Sequence, residues 1–148
     1  MNENPNFIGS HFYTVDTKNR LAIPAKFRAA IADQPELVLA QGLEGCLNLY
    51  TKFSWKRIGE KLESFPLKNK AQQRAFKRLL FANACEVQCD EEGRILIPQH
   101  LIDYAGLKKE TAIVGHGEKI EIWSMALWTK YVSQQKSVFK KFAAQLEF

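Results

Sequence analysis

Leu47-Asn48-Leu49-Tyr50 and Ile120-Glu121-Ile122-Trp123 run with a period of two, the pattern of half-buried strands. Alternation also flanks Lys18-Asn19 and Glu92-Gly93. Asn and Gly are the residues that best tolerate a positive φ, so each pair marks a turn between two strands. Pro24 and Pro98 come next, with φ preset for a helix's first turn and no N–H to be orphaned there, and each is expected to open a short helix. Gly106 is placed to close the second of these as a C′ residue. Elsewhere the period lengthens. Phe53, Trp55, Ile58, Leu62 and Phe65 form one helical stripe, Ala71, Ala75, Phe76, Leu79 and Leu80 a second, and Pro66 separates them. Trp128, Tyr131, Val132, Val138, Phe139 and Phe142 mark a C-terminal helix, amphipathic and moderately basic. All three stripes are expected to be core.

The pattern occurs twice. Val15-Asp16-Thr17-Lys18-Asn19-Arg20-Leu21-Ala22-Ile23-Pro24 and Cys89-Asp90-Glu91-Glu92-Gly93-Arg94-Ile95-Leu96-Ile97-Pro98 are offset by 74 residues and share Asp, Arg, Ile and Pro at matching places. Beyond the motif, Leu37-Val38-Leu39 parallels Ala112-Ile113-Val114. After a one-residue shift Leu47–Tyr50 parallels Ile120–Trp123, and Trp55 then matches Trp128. Each copy therefore reads strand, turn, strand, short helix, strand, turn, strand, helix. A copy of about 45 residues is near the size at which a lone core is marginal, so the two are expected to complete each other around a pseudo-two-fold axis.

Composition narrows the function. The chain has 148 residues, 46% hydrophobic and 25% charged, the range of ordinary globular proteins. No apolar run nears the roughly 18 residues of a membrane span, and Met1–Asn6 is polar, which points to the cytosol. Cys46, Cys85 and Cys89 form an odd set without C-x-x-C and read as small buried apolar residues. His11, His100 and His116 are scattered, so no metal and no cofactor is expected. The net charge of +5 is concentrated: residues 52–83 hold nine Lys and Arg against two Glu. Such a stretch suits a polyanion or a solvated helix face equally well. P-loop, G-x-G-x-x-G, G-x-S-x-G and H-E-x-x-H motifs are all missing, and an Arg four residues after each Asp makes that carboxyl a poor acid at neutral pH. An enzyme is not expected, nor a small-molecule substrate.

The paired Asp16-x-x-x-Arg20 and Asp90-x-x-x-Arg94 motifs, each ending apolar-x-Ile-Pro, together with Arg78-Leu79-Leu80-Phe81-Ala82-Asn83-Ala84, resemble the MraZ family, whose chains carry two SpoVT-AbrB-type modules. The likeness extends from about Phe7 to Trp128. It implies a mainly β fold with flanking α-helices: a pseudo-two-fold, swapped-hairpin, AbrB-like β-barrel formed by two tandem repeats, plus a helical spacer and a C-terminal helix. The modules fall at 8–56 and 84–128, the basic spacer at 57–83 and the helix at 129–148. The resemblance also implies a cytoplasmic, nucleoid-associated regulator that binds short promoter repeats of the division and cell-wall gene cluster as a ring-like homo-oligomer. Where that family usually has Gly at the first turn, this chain has Asn19.

Asp and Arg flanking a short turn are positioned to pair, as a hairpin brace or as a preorganised fork for phosphate or a guanine edge. The copies differ in charge: Lys18 stands beside Arg20, whereas Glu91 and Glu92 stand beside Arg94. Double-stranded DNA is therefore expected at the first turn, contacted by Lys18, Asn19 and Arg20 with Lys26 and Arg28 nearby, while Asp16 positions Arg20. Arg94 with Asp90 is expected to brace the second hairpin or a subunit interface. Arg74, Lys77 and Arg78 of the spacer are read as a solvated face, with phosphate contact as the other reading. The rival class is an antitoxin-like interaction or scaffold protein without specific promoter readout.

Overall fold

The computed structural model describes residues 5–66 and 68–147. The first copy contains β1 (Ser10–Thr14), β2 (Arg20–Ala22), α1 (Ala25–Ala30), β3 (Leu37–Gln41), β4 (Leu47–Thr51) and α2 (Lys52–Ser64). After α3 (Lys70–Asn83), the second copy repeats the order with β5 (Cys85–Val87), β6 (Arg94–Leu96), α4 (Gln99–Ala105), β7 (Glu110–His116), β8 (Lys119–Ser124) and α5 (Met125–Leu146). The helices after β4 and β8 begin before the matched tryptophans, because Thr51 and Ser124 cap them, accepting from Ser54 N at 3.1 Å and Leu127 N at 3.2 Å. Residues 57 and 129, expected as boundaries, thus lie inside α2 and α5. Pro24 and Pro98 stand one position earlier than expected, as N-cap residues, with their carbonyls accepting the first helical N–H bonds. Gly106 closes α4 at φ 60.

The two copies exchange strands. β1 pairs with β7 of the other copy, β5 pairs with β3, and all these ladders are antiparallel. One six-stranded sheet results, in the order β1-β7-β8-β4-β3-β5, and β2 pairs with β6 in a separate two-stranded ribbon. The closed swapped-hairpin barrel is thus corrected to an open sheet plus a two-stranded ribbon. β2 and β6 are three residues long, each set between a tight turn and an Ile-Pro pair that leads into a helix. Leu21 faces Ile95 across the ribbon, both 0% exposed, and this pair marks the pseudo-two-fold axis.

The pairings also correct one sequence parallel. Tyr13 faces Thr111 and Val87 faces Leu37, so Leu37-Val38-Leu39 corresponds to Thr111-Ala112-Ile113, one residue earlier than the apolar match. A threonine hides the register there. It is fully buried and donates from Oγ1 to Tyr13 O at 2.8 Å. Since a one-residue slip turns every side chain to the opposite face, only the shifted register sends Leu39 and Ile113 into the same core.

That core is continuous across the copies, joining Leu21, Ile23, Phe27, Leu39 and Leu49 to Ile95, Ile97, Leu101, Ile113 and Ile122. Each such side chain contributes about 1.5–3 kcal/mol by burial. On the other face of the sheet the modules repeat an aromatic pair: Tyr50 against Trp55 at 5.6 Å and Trp123 against Trp128 at 5.2 Å between centroids. Phe81 of α3 covers Trp55, and Tyr131 of α5 covers Trp123.

The helical stripes are not all core. Phe76 and Leu79 of α3 are exposed, the latter by 63%, as are Val138, Phe139, Phe142 and Leu146 of α5. These side chains lie beyond the turns of α3 and α5 that set Phe81 and Tyr131 on the sheet-side tryptophans. Cys46 is buried as expected, and its desolvated thiol is pushed up to about 12. Cys85 and Cys89 are only half-buried, and all three are free thiols. No helix among the described residues is long and apolar enough to cross a membrane.

Candidate nucleic-acid interface

The two Asp-x-x-x-Arg motifs build one object twice. Asp16 Oδ1 accepts from Lys18 N and Arg20 N, both at 2.9 Å, and Oδ2 accepts from Arg20 Nε at 2.7 Å. Asp90 does the same with Glu92 N, Arg94 N and Arg94 Nε, the last at 3.0 Å. Backbone bonds close each turn, from Asn19 N to Asp16 O and from Gly93 N to Asp90 O. The aspartate is therefore the organiser of the turn as well as the partner of its arginine. These donors hold both carboxyls below the ordinary aspartate range, the backbone N–H of the arginine being the largest cause in each case. Asn19 and Gly93 occupy the equivalent left-handed position at φ 61 and φ 78.

Each turn is tied to the other copy. Ile23 N donates to Gly93 O at 2.9 Å and Ile97 N to Asn19 O at 2.8 Å, so the helix that follows each ribbon strand starts beside the opposite turn. Hence Arg28 lies on the second turn rather than beside Lys18: its Nε donates to Ile23 O at 3.0 Å and its side chain packs on Gly93. Lys26 is exposed on the same helix. The first turn meets Gln99 instead, which accepts from Asn19 Nδ2 at 3.0 Å and donates to Asp103 Oδ1 at 2.9 Å. Gln99 and Asp103 were not singled out by sequence. The available signal was a departure between the copies, since the repeat offset places Ala25 and Ala29 at the matching positions.

The two arginines differ in engagement. Among the described residues, the ion pair of Arg20 runs to Asp16 alone, through Nε. Arg94 reaches Asp90 at 3.0 Å, Glu92 at 3.4 Å and Asp16 at 4.0 Å. Lys18 is exposed at the first tip, where the second has Glu91 and Glu92. In the spacer, Lys77 pairs with Glu63 and stands over the Phe81 ring. His11 packs edge-on to Phe27, and His100 contacts Asn83 O, which gives both a packing role. Among the described residues no cluster of three or more His, Cys, Asp or Glu side chains is placed to hold a metal ion.

Fold and site together define a tandem-repeat, strand-exchanged β protein that displays two unequal charged turns. The family model described as MraZ protein matches residues 7–79 and again residues 80–148. The chain is 46% identical to the transcriptional regulator MraZ of Clostridium acetobutylicum over 125 residues, covering 84% of this chain and 86% of the relative. It is 39% identical to the proteins of that name from Carboxydothermus hydrogenoformans and Heliobacterium modesticaldum over 140 residues, 95% of this chain and 96% of each relative. The chain belongs to the MraZ family, a family of transcriptional regulators and not of enzymes.

Proposed function

We propose that this chain regulates transcription by sequence-specific binding to short promoter repeats of the division and cell-wall gene cluster, as a cytoplasmic, nucleoid-associated ring of identical subunits. The observation that carries the reading is the inequality of two turns built alike: the ion pair of Arg20 runs through Nε to the single carboxylate of Asp16, and Arg94 lies within 4.0 Å of three, those of Asp90, Glu92 and Asp16. A guanidinium held by its inner nitrogen is preorganised for bidentate recognition of phosphate or guanine. Lys18, Asn19 and Arg20 form the contact surface, and Lys26 and Arg28, which α1 carries beside the second turn, add phosphate contacts where the DNA passes from one turn to the other. Arg94 and Asp90 brace the ribbon.

One turn with few cations binds weakly, and several linked turns gain from effective concentration. The exposed apolar faces of α3 and α5 support self-association of that kind. The test is an anisotropy titration against the DNA upstream of this protein's own gene and a scrambled duplex of equal length, at several salt concentrations. A regulator prefers its promoter and weakens with salt. A scaffold of the antitoxin-like class shows neither property, and that result ends the proposal.

A further inference from the structure

Asn19, Gln99 and Asp103 form a hydrogen-bonded chain that crosses from one copy to the other. Its polarity is set at the far end. A carboxylate accepts and does not donate, so Gln99 turns its NH2 to Asp103 and its carbonyl to Asn19, and Asn19 answers with its own NH2. Gln99 engages one of the two N–H groups of the Asn19 carboxamide, which fixes the order of Oδ1 and Nδ2 and leaves Nδ2 a second N–H to donate. The backbone of Asn19 is fixed as well, at φ 61, with its N–H on Asp16 O and its carbonyl on Ile97 N. Such an acceptor and donor side by side match N6–H and N7 of adenine in the major groove. The second turn lacks the device, having Gly93 at its tip and Ala25 and Ala29 in the corresponding helix.

We infer that Asn19 is an adenine-reading residue and that Gln99 and Asp103 are positioning residues that lock its amide in one orientation. The inference rests on the first turn facing DNA. It deepens that reading by separating specificity, which depends on the lock, from affinity, which depends on Lys18 and Arg20.

The experiment uses full-length protein and its upstream duplex with each adenine in turn replaced by 7-deaza-adenine, which pairs normally but lacks the N7 acceptor. Native protein loses about tenfold in affinity at one adenine per repeat, and Asn19→Ala abolishes that sensitivity. Gln99→Leu and Asp103→Leu lower the ratio of promoter to scrambled affinity by about five- to tenfold, leaving scrambled-DNA affinity, its salt slope and the thermal midpoint near native values. Asp103→Leu acts from the far end without touching the turn, so agreement of the two variants identifies the lock. Adenine sensitivity that is absent in the native protein, or that survives unchanged in both variants, overturns the inference. If the native protein does not prefer its promoter at all, the DNA reading itself has failed; if it does and both variants keep the native ratio, only the lock has failed.

Discussion

The guanidinium of Arg28, on α1 of the first copy, lies against Gly93 at the turn of the second: a β-carbon at Gly93 would stand 2.6 Å from Arg28 Nε and 2.7 Å from its Cζ. Gly93 also holds φ +78, which an L side chain adopts with strain. In the first turn the corresponding residues are Asn19 and Ile102. Gly93→Ala is expected to lower stability by about 1–3 kcal/mol, from backbone strain and from the Ile23 bond that Arg28 gives up as it moves aside. Gly93→Asn combined with Arg28→Ile, the pair found at the first turn, should recover most of that loss in urea denaturation. A double variant no better than Gly93→Asn alone would refute the packing argument.

Arg20 and Arg94 should separate binding from stability. Arg20→Ala is expected to weaken promoter binding about tenfold or more, the value of a bidentate contact, with a small change in thermal midpoint. Arg94→Ala should show the larger thermal effect and the smaller binding effect, because its guanidinium ties two turns together. Equal effects of both on anisotropy would remove the asymmetry from the proposed function.

Acid should loosen the turns. Asp16 and Asp90 have carboxyls lowered in the folded state, first by the backbone N–H of Arg20 and Arg94. The unfolded chain therefore takes up these protons more readily. Their stabilisation is complete above the unfolded value of about 3.9 and is lost as pH falls through the lower folded value. Thermal midpoints followed from pH 6 downward should fall below about pH 4, and an Asp16→Asn, Asp90→Asn double variant should show a flatter acid limb. An unchanged limb would assign acid sensitivity elsewhere.

The outer half of α5 tests assembly. Phe142 and Leu146 are exposed by 52% and 71%. Phe142→Asp with Leu146→Asp should reduce the mass measured by light scattering, leave the circular dichroism native-like and weaken promoter binding by removing linked contacts. Native mass in this variant would exclude the α5 face from self-association.

Much of the architecture was legible because its causes are local. Asn19 and Gly93 announced left-handed turn positions, Pro24 and Pro98 announced helix starts, and the alternation around Leu47 and Ile120 announced strands. The site was legible in part: the Asp-Arg pairs follow from four-residue spacing across a turn, but the attachment of Arg28 to Gly93 and of Asn19 to Gln99 joins residues 65 and 80 positions apart. Periodicity carries no information about such partners. The register of β7 escaped because Thr111 occupies a core position that apolar matching assigned to its neighbour.

By itself, then, the sequence determined the repeat, the order of elements, the chemistry of each turn and the inequality of their charges, since all of these reside in short windows where backbone preference and side-chain type act directly. Only the tertiary structure decided that the copies exchange strands, that the sheet stays open beside a two-stranded ribbon, and that each turn is completed by the other copy's helix. Those outcomes depend on which apolar faces meet and which buried N–H and C=O groups find partners, a choice made by the whole core at once.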